Sequence, residues 1–185
     1  DRIHGLQGDD QLYGEAGNDV ITGDGNSDVI FGGDGDDLLT GERNGRQDAL
    51  GNPITDPGND FIDGGEGNDF IQGEDGNDYL VGGAGNDEVW GDTSYGTSII
   101  GDDYLYGNDG EDRLIGGGGK DMLVGGAGND QLFGDTDDTA AADMGDDQLD
   151  GGQGDDYLRG HGGNDQLDGS EGSDTLIGDQ GNDYL

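Results

Sequence analysis

Aliphatic side chains recur at every ninth residue of this chain, separated by glycines and polar residues. The repeating unit reads glycine, two variable residues, glycine, an Asn/Asp-like residue, aspartate, any residue, an aliphatic and any residue, as in residues 125–133 (GGAGNDQLF). Seventeen copies follow one another from Gly5 to Leu185. The eighth place is aliphatic in every copy: Leu12, Ile21, Ile30, Leu39, Ile62, Ile71, Leu80, Val89, Leu105, Leu114, Leu123, Leu132, Leu149, Leu158, Leu167, Leu176 and Leu185.

This pattern predicts an all-β solenoid. Places one to six carry the glycines and polar groups of a tight turn, and places seven to nine form a very short strand whose middle side chain points to one side. Two copies then close one coil, and about eight coils stack at the strand spacing of about 4.8 Å into two sheets. We expect the eighth-place aliphatics of both sheets to meet inside as the core.

Glycine fills the first place of every copy, and it fills the fourth place of every copy except the third, which has Asn26. Asparagine is one of the few residues that tolerate a positive φ angle. Asn26 therefore preserves the backbone conformation that we expect glycine to supply at the other fourth places.

Three copies carry extra residues at the third place: residues 43–57 in copy five, 93–100 in copy nine and 136–144 in copy thirteen. Because two copies form a coil, all three insertions leave from the same edge, two coils apart. Tolerated loop variation explains them, and so does duplication of a larger unit of four copies.

The composition adds a requirement for a cation. The chain has 45 glycines and 45 acidic against six basic residues, with a formal charge of −39, which is typical of a disordered acidic tail. A disordered chain has no reason to keep the nine-residue period, yet one aliphatic per copy makes a core too thin to fold alone. We therefore expect disorder without a bound ion and folding with one.

The aspartate at the sixth place identifies that ion. It is present in all seventeen copies, and in a solenoid these carboxylates stack beside exposed backbone carbonyls. Cysteine is absent and the chain has only two histidines, so the ligands are oxygen atoms, which select a hard cation. Irregular cages rich in carbonyl groups favour calcium over magnesium.

The repeat resembles the RTX (repeats-in-toxin) nonapeptide GGxGxDxUx, the hemolysin-type calcium-binding region. The resemblance covers essentially the whole chain outside the three insertions and implies a right-handed parallel β-roll. It also implies one calcium between loops of adjacent coils. One loop gives its second- and fourth-place carbonyls and its aspartate, and the other gives its first- and third-place carbonyls and its aspartate. Asp112 and Gly110 would share an ion with Asp130 and Gly125.

The resemblance thereby makes three groups of residues candidate metal ligands, with at most about 15 sites between adjacent copies of the same edge. The aspartates are Asp10, Asp19, Asp28, Asp37, Asp60, Asp69, Asp78, Asp87, Asp103, Asp112, Asp121, Asp130, Asp147, Asp156, Asp165, Asp174 and Asp183. The first-place glycines are Gly5, Gly14, Gly23, Gly32, Gly64, Gly73, Gly82, Gly107, Gly116, Gly125, Gly151, Gly160, Gly169 and Gly178. The fourth-place residues are Gly8, Gly17, Asn26, Gly35, Gly58, Gly67, Gly76, Gly85, Gly101, Gly110, Gly119, Gly128, Gly145, Gly154, Gly163, Gly172 and Gly181.

The insertions make the two edges unequal. Loops of the odd-numbered copies lie on one edge, and loops of the even-numbered copies lie on the other. Six of the eight pairs of adjacent loops on the odd edge include an inserted copy, whereas no pair on the even edge does. We expect seven ordered calcium ions on the even edge and an altered or interrupted row on the odd edge. Asp137, Asp138 and Asp143 are candidate replacement ligands, although the residue types favour solvated loop charges.

Catalysis finds no support in the sequence. The chain has no H-E-x-x-H, no G-x-S-x-G, no phosphate-binding loop and no EF-hand spacing. We expect a protein that is not an enzyme, although a catalytic domain elsewhere in a parent protein is compatible with that. The negative charge repels nucleic acid and anionic lipid, and no apolar run is long enough for membrane insertion.

The leading interpretation is a calcium-binding module of a larger secreted bacterial protein. The resemblance implies type I secretion in an unfolded state and folding outside the cell, with neighbouring repeats or domains of the parent as the other partners. Residues 1–4 match places six to nine of a preceding copy and the chain stops at place eight. We therefore expect residues 1–185 to be a single segment of a longer array, truncated at both ends.

Two alternatives remain open. One is a structural region of a surface-layer, adhesin or matrix protein, which many further repeats beside this segment would favour. The other is a carbohydrate-contacting module of a secreted enzyme. It would use an outward aromatic stripe predicted on the sheet of the odd copies: Tyr13, Phe31, Phe61, Tyr79, Tyr104 and Tyr106.

Overall fold

The computed structural model describes residues 1–42, 58–92, 100–136 and 144–185. Within these ranges the chain forms two sheets in which every strand pair is parallel. The nine-stranded sheet contains β1 (Arg2–Gln7), β3 (Val20–Gly25), β5 (Leu38–Glu42), β7 (Phe70–Gln72), β9 (Glu88–Trp90), β11 (Arg113–Gly117), β13 (Gln131–Asp135), β15 (Tyr157–Gly162) and β17 (Thr175–Gln180). The eight-stranded sheet contains β2 (Gln11–Ala16), β4 (Val29–Asp34), β6 (Phe61–Glu66), β8 (Tyr79–Ala84), β10 (Tyr104–Asp109), β12 (Met122–Ala127), β14 (Gln148–Gln153) and β16 (Gln166–Asp168).

The strands alternate between the two sheets along the chain, so each strand pairs with the strand two copies further on. Leu105 on β10 pairs with Leu123 on β12, and this register repeats from coil to coil. It also holds across the insertions, since Ile30 pairs with Ile62. The fold is therefore a parallel β-roll with two copies in each coil, as predicted.

The eighth-place aliphatics of the two sheets form one continuous core between them, which confirms the prediction. The side chains in its middle are fully or almost fully buried, and Ile3, Leu12 and Leu176 pack against them at the two ends. Leu185 is 62% exposed. Each copy in the middle of the roll thus contributes one buried aliphatic side chain to this core.

The strands are longer than the sequence predicted. Most run through places seven to nine and on through places one to three, as in β12 (Met122–Ala127). The first place has no side chain, so adjacent coils approach closely enough to continue their backbone hydrogen bonds into the glycine segment. The turn is correspondingly shorter than six residues.

Positive φ angles occur at two places of the repeat. The fourth place was predicted, and Asn26 has φ 75° there. The second place was not predicted, because it is often not glycine. Its non-glycine residues with positive φ are Leu6, Glu15, Asp24, Glu74, Asn108, His161, Ser170 and Asp179.

The predicted aromatic stripe is present on the outer face of the eight-stranded sheet. Tyr13 stacks on Phe31 with ring centroids 5.2 Å apart, and Phe61 stacks on Tyr79 at 5.5 Å. Phe31 links the two pairs, and Tyr104 and Tyr106 continue the stripe from Tyr79. Further along the same face the outward positions are exposed polar residues, Gln148, Asp150, Gln166 and Asp168.

Most of the three insertions lies outside the described residues, as do Asp137, Asp138 and Asp143. The segments that flank each insertion remain in the coil. No helix in the described part of the chain is long and apolar enough to cross a membrane.

Candidate metal centre

The sixth-place aspartates form a hydrogen-bonded ladder along each edge of the roll. The main-chain N–H of Asp112 donates to Oδ1 of Asp130 at 2.8 Å, and that of Asp130 donates to Oδ1 of Asp156 at 2.8 Å. The even ladder runs from Asp19 to Asp174 and the odd ladder from Asp10 to Asp183 without a missing step. Each aspartate therefore ties its own loop to the preceding loop of the same edge.

In fourteen of these aspartates the second carboxylate oxygen has a different environment. It is buried, and among the described residues it has no hydrogen-bond partner. Such buried polar atoms are rare in proteins, and a row of them indicates a site for a ligand. The atoms are Oδ2 of Asp10, Asp19, Asp28, Asp37, Asp60, Asp69, Asp87, Asp103, Asp112, Asp121, Asp130, Asp147, Asp156 and Asp165.

The first-place glycine creates the space into which this oxygen points. A Cβ atom at Gly107 would overlap Oδ2 of Asp112 and lie 2.6 Å from the carbonyl oxygen of Gly125 in the next coil. A carboxylate oxygen and a backbone carbonyl oxygen thus converge beside Gly107. Any side chain at the first place would fill this cradle, which explains why the place is always glycine.

The donor set fits calcium. In the parts of the chain that the structure describes, no three carboxylate or imidazole side chains gather to hold an ion by themselves. Backbone carbonyl oxygens must therefore complete any coordination sphere. Carboxylate and carbonyl oxygens are the ligands of hard cations, and calcium accepts the irregular arrangement that such loops provide.

The pKa values of the ladder carboxyls show what it costs to keep them charged. Burial raises the pKa of Asp60 and Asp87 to about 7, and like charges from the neighbouring ladder aspartates add to the effect. Burial together with the charges of Asp135 and Asp165 raises the pKa of Asp147 to about 8. These charges repel each other along the row, and a bound cation would offset both the repulsion and the loss of hydration.

The aspartates of the odd edge are as regular as those of the even edge. The main-chain N–H of Asp28 donates to Oδ1 of Asp60 at 2.7 Å across the first insertion. The main-chain N–H of Asp121 donates to Oδ1 of Asp147 at 2.9 Å across the third. The odd row of aspartates therefore keeps its register across these insertions. The ions themselves stay a prediction.

Lys120 stands at a fifth place, where most copies have Asn or Asp. Its main-chain N–H donates to Oδ1 of Asp102 at 2.9 Å, so the backbone keeps the regular arrangement. Its ammonium group pairs with Asp146 at 3.2 Å, at the exposed fifth place of the next coil.

The family model described as RTX calcium-binding nonapeptide repeat (four copies) matches residues 1–30, 21–44, 54–89, 99–132, 134–167 and 151–185. The chain belongs to this RTX family. No curated protein matches it significantly. As an RTX chain it is a calcium-binding repeat module of the kind found in secreted bacterial proteins.

Sequence reasoning missed one group of residues in this RTX site. Asp92 and Asp135, at the second place of two inserted copies, are 4% and 0% exposed. The second place varies in the repeat, so the pattern gave them no role. The available signal was that each inserted copy has an acid directly before its insertion: Glu42, Asp92 or Asp135.

Proposed function

We propose that this segment folds on binding calcium outside the cell and thereby supports the secretion and stability of a larger secreted bacterial protein. The observation that carries the proposal is the row of buried aspartate oxygens beside the glycine cradles of both edges. In this proposal the segment acts as a binding and folding module and takes no part in catalysis.

The coupling between calcium and folding follows from the balance of forces in the coil. The core contributes one aliphatic side chain for each copy of nine residues, and glycine-rich turns lose much conformational entropy on folding. The ladder adds buried like charges on both edges. An ion that binds only the folded chain contributes its binding free energy to folding.

The proposed ligands follow the geometry of each adjacent pair of loops. For copies ten and twelve, Asp112 and Asp130 give their Oδ2 atoms, and the carbonyl of Gly125 completes part of the sphere. The second- and fourth-place carbonyls of copy ten, including Gly110, and the third-place carbonyl of copy twelve supply the remainder. Repeating this assignment along both edges gives at most about 15 calcium ions, which would reduce the formal charge from −39 to about −9.

The coupling between calcium binding and folding is suited to secretion. A chain that needs calcium stays unfolded where calcium is scarce, as in the cytosol, and can be exported in that state. It folds once it reaches an environment rich in calcium. Calcium sites of extracellular modules have dissociation constants of about 10⁻⁴–10⁻³ M, which suits such a step.

The midpoint of calcium-induced compaction tests this proposal. The hydrodynamic radius of the segment, measured by size-exclusion chromatography across a calcium titration, should fall with a midpoint of about 10⁻⁴–10⁻³ M. A midpoint of about 10⁻⁷–10⁻⁵ M would be that of cytosolic sensors and would contradict a role in export. The matched control is the same titration with magnesium, which should leave the radius large.

A carbohydrate-contacting role has weaker support from the aromatic stripe. Sugars bind aromatic rings through the ring faces, but Tyr13 and Phe31 lie at an interplanar angle of 9°, as do Phe61 and Tyr79. The rings of each pair therefore cover each other's faces. Their stacking supports contact between coils along the sheet.

A further inference from the structure

Two inserted copies bury a carboxylate at the second place, which no copy of the even edge does. On the odd edge the regular copies three and seven also bury an acid there, Asp24 and Glu74. Asp92 of copy nine and Asp135 of copy thirteen occupy the second place, directly before the insertions on the odd edge. Both side chains are almost fully withdrawn from solvent, at 4% and 0% exposure. At the same place of the even edge, the corresponding residues are mostly glycine: Gly33, Gly65, Gly83, Gly126 and Gly152.

One oxygen of each carboxylate ties the insertion to the coil. Oδ2 of Asp92 accepts a hydrogen bond from the main-chain N–H of Gly101, the first regular residue after the insertion, at 3.1 Å. Oδ2 of Asp135 accepts a hydrogen bond from the main-chain N–H of Gly162 in copy fifteen at 3.3 Å. The first bond holds the two ends of the insertion in copy nine together, and the second ties copy thirteen to the next coil.

The other oxygen has no such partner. Oδ1 of Asp92 and Oδ1 of Asp135 are buried, and neither has a hydrogen-bond partner among the residues that the structure describes. They lie next to ladder aspartates whose Oδ2 atoms are in the same condition: Asp103 and Asp121 beside Asp92, and Asp147 and Asp165 beside Asp135. With its neighbouring loop, each of these two inserted copies thus has three buried acidic groups, where a pair of loops on the even edge has two.

The electrostatic effect of the extra carboxylate is mutual. Burial, and after it the charge of Asp103, raises the pKa of Asp92 to about 8. Burial likewise raises the pKa of Asp121 well above its ordinary value, and the charges of Asp103 and Asp92 contribute. After burial, the charge of Asp135 likewise contributes to the raised pKa of Asp147. No positive side chain has a part in any of these shifts.

We infer that Asp92 and Asp135 give the calcium sites between copies nine and eleven and between copies thirteen and fifteen a higher affinity than the sites of the even edge, so that these two sites fill before the even row. The inference rests on the proposed function and names a regulation of the same rows. Two ladder aspartates and backbone carbonyls coordinate the ion, and the second-place aspartate adds a third negative charge beside it. Calcium affinity increases with the negative charge of the site.

The second-place aspartates therefore strengthen calcium binding on the edge that carries the insertions. In an inserted copy, extra residues stand at the third place of the sequence, where a carbonyl ligand is expected. A carboxylate at the second place compensates with a full charge where a carbonyl has only a dipole. Filling these sites first would fix two coils in the middle and near the end of the roll, from which neighbouring coils can form.

The only tryptophan of the chain makes the first of these sites measurable. Trp90 ends β9, two residues before Asp92, and its ring lies 5.4 Å from the guanidinium carbon of Arg113. Terbium(III) binds at calcium sites and emits when a nearby tryptophan transfers energy to it. Excitation at the red edge of the tryptophan band therefore reports the ions nearest Trp90, while far-ultraviolet circular dichroism reports folding of the whole segment.

The experiment compares the full segment with Asp92→Asn and Asp135→Asn. Asparagine keeps an acceptor for the main-chain N–H groups and removes the charge. In the unchanged segment, terbium luminescence should saturate at a lower concentration than the circular dichroism signal. Asp92→Asn should raise the luminescence midpoint about tenfold. Asp135→Asn, which removes the same charge far along the chain from Trp90, should leave that midpoint in place.

Equal luminescence midpoints in the three proteins would overturn the inference while leaving calcium-dependent folding intact. Absence of any calcium-induced β signal in the unchanged segment would overturn the proposed function as well. Should Asp92→Asn fail to fold, its terbium binding would be measured beside that of Asp92→Glu, which keeps the charge and should retain the low midpoint. Loss of the low midpoint in Asp92→Glu would contradict a role for charge.

Discussion

The main-chain N–H of Asp112 donates to Oδ1 of Asp130 at 2.8 Å, and this bond leaves Oδ2 of Asp130 buried in the cradle beside Gly125. One carboxylate thus has two functions: its first oxygen ties consecutive coils together, and its second is available to an ion. Because the relation repeats along both edges, the two functions can be separated by substitution.

Asp130→Asn separates them directly. Asparagine keeps the Oδ1 acceptor for Asp112 and removes the negative charge, so the coil contact remains while the ion loses an acidic ligand. We expect the calcium midpoint of folding, measured by circular dichroism, to rise about three- to tenfold. The control is Asp155→Asn at an exposed fifth place. Identical midpoints for Asp130→Asn and the unchanged segment would show that Asp130 is not a ligand.

Leu132→Ala tests the core without touching a ligand. Leu132 is fully buried between the sheets, so truncation removes contacts and leaves a cavity. We expect the free energy of unfolding to fall by about 2–5 kcal/mol at saturating calcium. Denaturant unfolding measures it, with Gln131→Ala at the adjacent exposed position as the control. An effect that disappears at high calcium would contradict a separate role for the core.

Gly125→Ala tests the cradle. A Cβ atom there would overlap Oδ2 of Asp130 and meet the carbonyl oxygen of Gly151 at 2.5 Å. We expect a large rise of the calcium midpoint, or loss of calcium-induced folding, in circular dichroism. The matched control is Gly17→Asn, where the Cβ direction is open and where Asn26 shows that the same place of the repeat accepts an asparagine with a positive φ. Equal effects of the two substitutions would assign the glycine requirement to backbone conformation alone.

The sequence predicted the roll because its strongest signal is a period that both core and turn obey. Leu105 and Leu123 could be paired from spacing alone, and Asn26 revealed the positive φ of the fourth place. The positive φ of Leu6 and His161 was not predicted, since the second place varies in the repeat and is often not glycine. The burial of Asp92 was not predicted either, because the pattern assigns no role to the side chain of the variable second place.

Acid should partly replace calcium. Burial raises the pKa of Asp60 and Asp87 to about 7 and of Asp147 to about 8, from an ordinary 3.8. A raised pKa in the folded state contributes stability that is fully present below the unfolded value and is lost as the pH rises through the folded value. In the presence of EGTA, we therefore expect circular dichroism to show β structure near pH 4 that disappears between about pH 6 and pH 8.

With calcium present the dependence on pH should reverse. Calcium requires the ionised carboxylates, so protons compete with it and the calcium midpoint should increase as the pH falls below the same raised values. A calcium midpoint that is constant from about pH 5 to pH 8 would contradict ligation by the buried ladder aspartates.

The most direct test of the central claim, that calcium binding to the aspartate ladders folds the chain, is far-ultraviolet circular dichroism of the purified segment at neutral pH. The spectrum should be that of a disordered chain in EGTA, should become that of a β protein when calcium is added in excess, and should stay disordered with magnesium alone. A β spectrum in EGTA that calcium leaves unchanged would contradict the account.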